Sequence, residues 1–194
     1  MVSIEQIKKL REETGISISE CKKALEASKG NLEKAKVILK EWGKEFSKKK
    51  IERETKQGIV EGYIHPGKKI GVMVELNCES DFVARSEDFQ KLAHEICLQA
   101  AAMSPLFSKK EDIPDDFLFG ERKIWEEQLK DSGKSKKIID EIISGKLEKF
   151  KEEISLLSQL WIKDETKTVK DLIDEYISRL GENIVVRRFI RFEI

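Results

Sequence analysis

His65 and His94 are the two histidines of the chain, and Cys21, Cys78 and Cys97 are its three thiols. Imidazole and thiolate side chains serve metal ligation, proton transfer and nucleophilic attack. None of them stands at a spacing that such chemistry needs. HExxH and paired CxxC are absent, and no nucleophile occupies a recognisable elbow. The run His65-Pro66-Gly67-Lys68-Lys69 has the residue types for phosphate, but it lacks the GxxxxGK[ST] spacing and opens a strand rather than a helix. A site assembled from scattered parts leaves no local signature, so a dispersed active site stays open as an alternative. The absence of every local signature favours a protein that acts by binding, with no metal and no cofactor.

The binding candidate is Asp81-Phe82, within Asn77-Cys78-Glu79-Ser80-Asp81-Phe82-Val83-Ala84-Arg85. A turn normally carries Gly, Asn or Pro where this acid and phenylalanine stand. Two readings fit. In one, Phe82 and Val83 tuck under the following helix while Asp81 bonds local N–H groups. In the other, the pair faces outward on a stiff corner as an aromatic anchor for a partner's pocket. Local pattern does not choose between them.

The elements that position this corner are the most regular in the chain. Upstream, Ile70, Val72, Val74, Leu76 and Cys78 alternate with Gly71, Met73, Glu75 and Asn77, as in a strand with one face in a core. Downstream, Phe89, Leu92, Ala93, Ile96, Cys97 and Ala100 recur at helical spacing. Ser86 is placed to cap that helix, and Glu87 and Asp88 complement its dipole. Residues 80–85 are left for a tight connection.

The whole chain is bounded by its totals. Its 194 residues suffice for one core plus a small module. Lys plus Arg and Asp plus Glu both number 37, and this zero net charge argues against a dedicated nucleic-acid binder. The three distant cysteines read as reduced thiols of a cytosolic protein. No apolar run approaches a membrane span, and MVSIEQIKKL lacks a secretory apolar region, so no membrane association is expected.

Residues 1–50 read as three short helices, with capping-box spacing at Ser3/Gln6 and Ser17/Glu20 and a restart at Gly30-Asn31. Their apolar positions are Ile4, Ile7 and Leu10, then Ile18, Cys21, Ala24 and Leu25, then Leu32, Ala35, Leu39, Trp42 and Phe46. From Gln57 the period changes to a β-hairpin, and glycines in its first strand suggest a bulge or a close backbone approach. Residues 103–120 read as a long surface connection around Pro105 and Pro114, and 121–160 as helix. A last helix starts at Thr168 and stops at Gly181. The terminal stretch alternates Ile190, Phe192 and Ile194 against Arg191 and Glu193, making a third strand whose arginines are expected on the solvated face. The predicted fold is α+β: a three-helix module over 1–50, then a core over 51–194 in which helices pack on a small, mostly antiparallel three-stranded sheet.

Three stretches resemble one family, translation elongation factor Ts. The first holds Leu10-Arg11-Glu12-Glu13-Thr14-Gly15, Cys21-Lys22-Lys23-Ala24-Leu25-Glu26 and Gly30-Asn31-Leu32-Glu33-Lys34-Ala35. The second holds Glu61-Gly62-Tyr63-Ile64, the corner from Val74 to Arg85, Phe89 and Gln99-Ala100-Ala101. The third holds Thr168-Val169-Lys170-Asp171-Leu172-Ile173 and Gly181-Glu182-Asn183-Ile184-Val185-Val186-Arg187-Arg188-Phe189. They lie in family order and span almost the whole chain. Ser80 stands where the family usually has Thr, Ile16-Ser17-Ile18-Ser19-Glu20 replaces the commoner Gly- and Met-containing loop, and Leu160-Trp161-Ile162-Lys163-Asp164 replaces the usual Gln-Pro-Phe-Val-Lys-Asp.

The resemblance implies a UBA-like N-terminal module and a guanine-nucleotide exchange factor for elongation factor Tu, acting in the bacterial cytoplasm without covalent chemistry. It implies that Ser80, Asp81, Phe82 and Val83 reach toward the GTPase's nucleotide-bound Mg²⁺, with Phe82 as a wedge. Arg11 and Ile18 are implied as contacts of the module. Short members of the family often work as homodimers, so a homodimer is expected, which allows a 2:2 complex. The competing class is a pure binding module, since ubiquitin-binding and nascent-chain-associated domains use the same three-helix shape.

Overall fold

Two apolar clusters, joined by one long helix, organise the chain. The computed structural model describes residues 2–130 and 132–194; Met1, in the predicted N-terminal module, and Asp131, in the predicted helical region, lie outside them. Helices α1 (Ile4–Thr14), α2 (Ile18–Ala27) and α3 (Leu32–Lys50) surround the first cluster. Ser3 and Gln6 form a reciprocal capping box, Ser17 and Asn31 cap the next two helices, and Gly15 ends α1 in the left-handed conformation. Leu10, Cys21, Ala24, Leu25, Ala35 and Leu39 fill the cluster.

Two predicted core positions are in neither cluster. Ile4 and Ile18 are exposed, and Ile16, from the connecting loop, is buried instead. Each of the two sits at the first position of its helix, where the side chain clears the packed face. Helix α3 also outruns the first cluster, because Phe46 packs against the second.

The second cluster lies between a sheet and its helices. Strands β1 (Gln57–Ile64), β2 (Ile70–Cys78) and β5 (Ile184–Glu193) form an antiparallel sheet in the order β1-β2-β5. Gly58 has the close backbone approach expected of it: an added Cβ would lie 2.3 Å from the Leu76 carbonyl oxygen. Between β2 and β5 run α4 (Asp81–Ala84), α5 (Glu87–Met103), α6 (Asp115–Leu129), α7 (Lys136–Ile154), the strand pair β3 (Leu160–Trp161) and β4 (Asp164–Thr168), and α8 (Val169–Leu180). Val72, Val74, Leu76, Phe89, Leu92, Ile96, Leu172, Ile173 and Ile177 make the centre of this core.

The terminal strand differs from its sequence reading. A register shift opposite Glu75/Leu76 pairs Leu76 with Val186 but Glu75 with Arg188, so Arg187 is an extra residue. A bulge flips every later side chain to the other face. Ile190, Phe192 and Ile194 therefore leave the core side and are exposed, while Arg191 turns inward and donates to the Ala101 carbonyl oxygen at 3.3 Å. Arg188 keeps the predicted solvent exposure and pairs with Glu75 at 2.6 Å. Two other segments also differ. Helix α6 begins inside the predicted surface connection, because Pro114 followed by Asp115 and Asp116 is a helix start. Gly145 lies within α7 without breaking it.

Candidate functional site

The corner after β2 is not an open turn but a single helical turn. Ser80 is extended and caps α4, its Oγ accepting the Val83 N–H at 3.4 Å. The Arg85 N–H donates to the Asp81 carbonyl oxygen at 3.1 Å, and Ser86 closes the turn by donating its hydroxyl to the Val83 carbonyl oxygen at 2.7 Å before capping α5. Both expectations about the corner hold in part. Val83 packs against the core as the staple reading requires, whereas Phe82 is 84% exposed, the outward presentation. Asp81 forms an ion pair with Arg85 at 3.1 Å.

Four residues of one turn thus divide by role. Ser80 and Val83 face inward and fix the turn, while Asp81 and Phe82 face outward. A four-residue helix has too few internal hydrogen bonds to hold its own direction. The direction is imposed by residues far away in sequence. The Glu182 carboxylate accepts the N–H groups of Glu79 and Ser80 at 3.1 and 2.9 Å, and the Ser80 hydroxyl at 2.6 Å. In return, the Asn183 N–H donates to the Glu79 carboxylate at 2.7 Å, and Arg53 approaches the same group at 3.3 Å. Burial would raise the Glu79 carboxyl's pKa, but the Asn183 N–H and the Arg53 guanidinium outweigh it and hold the group below its ordinary value. Beneath the corner, the buried Cys78 thiol donates to the Ser80 carbonyl oxygen at 3.1 Å. Burial, reinforced by the charge of Glu182, pushes that thiol up to about 11, so it is an inert packing group.

The turn that holds the corner is itself fastened to α3. Asn183, buried, donates its side-chain amide to the carbonyl oxygens of Ile51 and Arg53 at 3.4 and 2.8 Å, and Lys50 donates to that of Gly181 at 2.7 Å. Glu182 and Asn183 had no assigned role in the sequence reading, and Lys50 belongs to a lysine run expected on a solvated face. No local pattern signals them, since Glu182 and Ser80 are 102 residues apart. The one available cue was that an acid follows directly on the helix-ending Gly181.

Arg11 and Ile18 lie apart from this corner in polar contact: no hydrogen bond or ion pair joins them to residues 80–83 among the described residues. Arg11 is exposed on the last turn of α1, and Ile18 is 55% exposed at the start of α2. The two histidines, separate in sequence, meet in space around Tyr63. Its hydroxyl lies 3.0 Å from His65 Nδ1, and its ring stands edge-on to both imidazoles. His94 Nδ1 lies 3.3 Å from Glu61. Among the described residues, no three His, Cys, Asp or Glu side chains gather as a metal site. No described helix is long and apolar enough to cross a membrane.

The family model described as Elongation factor TS matches residues 5–194. Proteins named Elongation factor Ts from Coprothermobacter proteolyticus and Thermosipho melanesiensis are each 50% identical to the chain, over 193 and 194 residues, covering 100% of it and 98% and 99% of themselves. A protein of the same name from Thermotoga maritima is 49% identical over 193 residues, 100% of this chain and 96% of its own length. With half of all positions shared from end to end, and the fold that the resemblance implied, the chain belongs to the elongation factor Ts family.

Proposed function

We propose that the chain is a guanine-nucleotide exchange factor for elongation factor Tu, working in the bacterial cytoplasm and by binding alone. The observation that carries this reading is Phe82, 84% exposed on a helical turn whose capping Ser80 is pinned from behind. With the backbone of the turn already held, a partner that buries this aromatic side chain has only its two side-chain torsions left to order. Its neighbour Asp81, paired with Arg85, brings a carboxylate to the same tip, a group suited to competing with phosphate for Mg²⁺ and N–H donors in the partner.

Exchange needs no bond to be made or broken in this chain. A factor that binds the partner state with disturbed Mg²⁺ and phosphate contacts more tightly than the closed GDP state lowers nucleotide affinity by linkage. Shifting a two-state equilibrium from 1:99 to 99:1 takes about 5.5 kcal/mol of differential binding. Burying one phenylalanine supplies about 1.5–3 kcal/mol, so Phe82 needs other contacts. Asp81 shares its surface while Ser80 and Val83 hold it in place from within, and Arg11 and Ile18 on the 1–50 module supply a second anchor. The module and the 51–194 core then act as two grips on one partner.

The homodimer expected of a short family member has a matching surface. Val60, Ile64, Met73, Ile190, Phe192 and Ile194 are all exposed on the sheet face opposite the helices. A second copy packed on this apolar face would bury it and leave both corners free for a 2:2 complex. The test is release of labelled GDP from purified elongation factor Tu with and without the chain. Strong acceleration at substoichiometric amounts is expected, and an unchanged release rate overturns the reading.

A further inference from the structure

We infer that Glu182 is a positioning residue for exchange, aiming Phe82 through Ser80; the inference rests on the exchange reading above. Residues 79–80 and 182–183 grip each other reciprocally. One carboxylate accepts three hydrogens from Glu79 and Ser80, and the Glu79 carboxylate accepts one back from Asn183. No cation pairs with Glu182 among the described residues, so these N–H and hydroxyl donors are its protein partners, and bonds to a carboxylate are stronger than those between neutral groups.

The bond to the Ser80 hydroxyl does more than add strength. With its proton directed at Glu182 Oε1, the Ser80 oxygen keeps its lone pairs for the Val83 N–H and so sets the first turn of α4. Phe82 lies within that turn and touches no core cluster, so the direction of its ring follows the direction of the turn. A small rotation of α4 is multiplied at the ring. Because Asn183 and Gly181 are also fastened to the end of α3, the same grip fixes the corner relative to the helix that carries the N-terminal module.

The experiment measures labelled GDP release from elongation factor Tu over a concentration series of the full-length chain, with folding checked by circular dichroism and amide hydrogen exchange followed at residues 80–84. Glu182→Ala should lower the saturating release rate at least about tenfold, since misplacement by about 1 Å costs up to about a hundredfold. The half-saturating concentration should change far less, and exchange at 80–84 should accelerate while α5 stays protected. Glu182→Gln should restore most of the rate, because its carbonyl oxygen still accepts from the N–H groups and its amide can donate to the Ser80 oxygen. A wild-type saturating rate in Glu182→Ala, or a loss confined to the half-saturating concentration, overturns the inference. If Glu182→Ala does not fold, Ser80→Ala decides in its place, with a lowered saturating rate expected and a wild-type rate overturning it. Phe82→Ala is measured in parallel. Wild-type release by that variant overturns the wedge reading itself, whereas slow release beside a fully active Glu182→Ala overturns only the role of Glu182.

Discussion

The Glu182 carboxylate accepts both the N–H and the hydroxyl of Ser80, at 2.9 and 2.6 Å, and so ties the turn after α8 to the turn after β2. This grip separates the residues that hold the corner from those it displays. Phe82 is among the displayed, and its removal should shift unfolding free energy by no more than about 0.5 kcal/mol, as for other solvated side chains. Release of GDP from elongation factor Tu should nevertheless slow about ten- to a hundredfold in Phe82→Ala, the equivalent of the burial it loses. Stopped-flow release beside a urea titration checks both halves, and an equal loss in both would make Phe82 a folding residue.

Ile18 separates binding from folding on the other module. Being half exposed at the start of α2, it can become Ser with little effect on the thermal midpoint. Binding to the GTPase, measured by calorimetry, should weaken about tenfold if the side chain is buried there. Truncation of residues 1–50 is a poorer test. It strips Phe46 from the second core and Ser47 from its hydrogen bond to Asp174, so lost binding would carry lost stability with it.

What the sequence made legible follows periodicity and capping. The β2 alternation, the Ser86 cap and the Thr168 start were all local patterns, and each is found where expected. The flip of Ile190 and Phe192 was not legible, because an inserted Arg187 changes the face without changing the alternation. The corner shows the same limit. Local caps at Ser80 and Ser86 close the turn around Phe82, but the carboxylate that ties the turn down comes from Glu182, near the far end of the chain.

The exposed outer sheet face gives a prediction about assembly. Phe192 is 64% exposed in the single chain, so Phe192→Lys should leave the fold intact. Sedimentation should shift from dimer to monomer at concentrations where the wild type is paired, since a central aromatic anchor contributes heavily to an interface. A lysine variant that sediments as the wild type would place the second copy elsewhere.

The seam between α3 and α8 carries an acid-labile contact. Burial raises the Asp171 carboxyl, but the Lys44 ammonium at 2.7 Å and the Thr168 N–H and hydroxyl outweigh it and bring the group from 3.8 down to about 2. The folded value lies below the unfolded one. Its stabilisation, on the order of 2 kcal/mol, is therefore complete above about pH 4 and lost as pH falls through about 2. Asp171→Asn should be less stable at pH 7 by a similar amount and should flatten the stability curve between pH 4 and 2. A curve parallel to that of the wild type would remove Asp171 from the acid transition.

Gly15 and Arg179 meet where the first module rests on α8. Gly15 has φ +69°, and an added Cβ would lie 2.7 Å from Arg179 Nε and 3.0 Å from its Cδ. Cδ ends the side-chain stem and Nε begins the guanidinium, whose Cζ lies 3.2 Å away. That guanidinium is held over the Tyr176 ring at 4.8 Å and faces Asp88 at 3.5 Å, so it cannot swing away without disturbing both contacts. Gly15→Ala therefore combines the left-handed backbone penalty, about 1–2 kcal/mol, with displacement of Arg179. The backbone part survives any change at Arg179, while the steric part does not. In a double-mutant cycle by urea unfolding, Gly15→Ala with Arg179→Ala should be less destabilised than the sum of the single variants, by about 1 kcal/mol. Strict additivity would mean that Arg179 yields freely, and that the module rests on α8 through Lys44 and Ser47 instead.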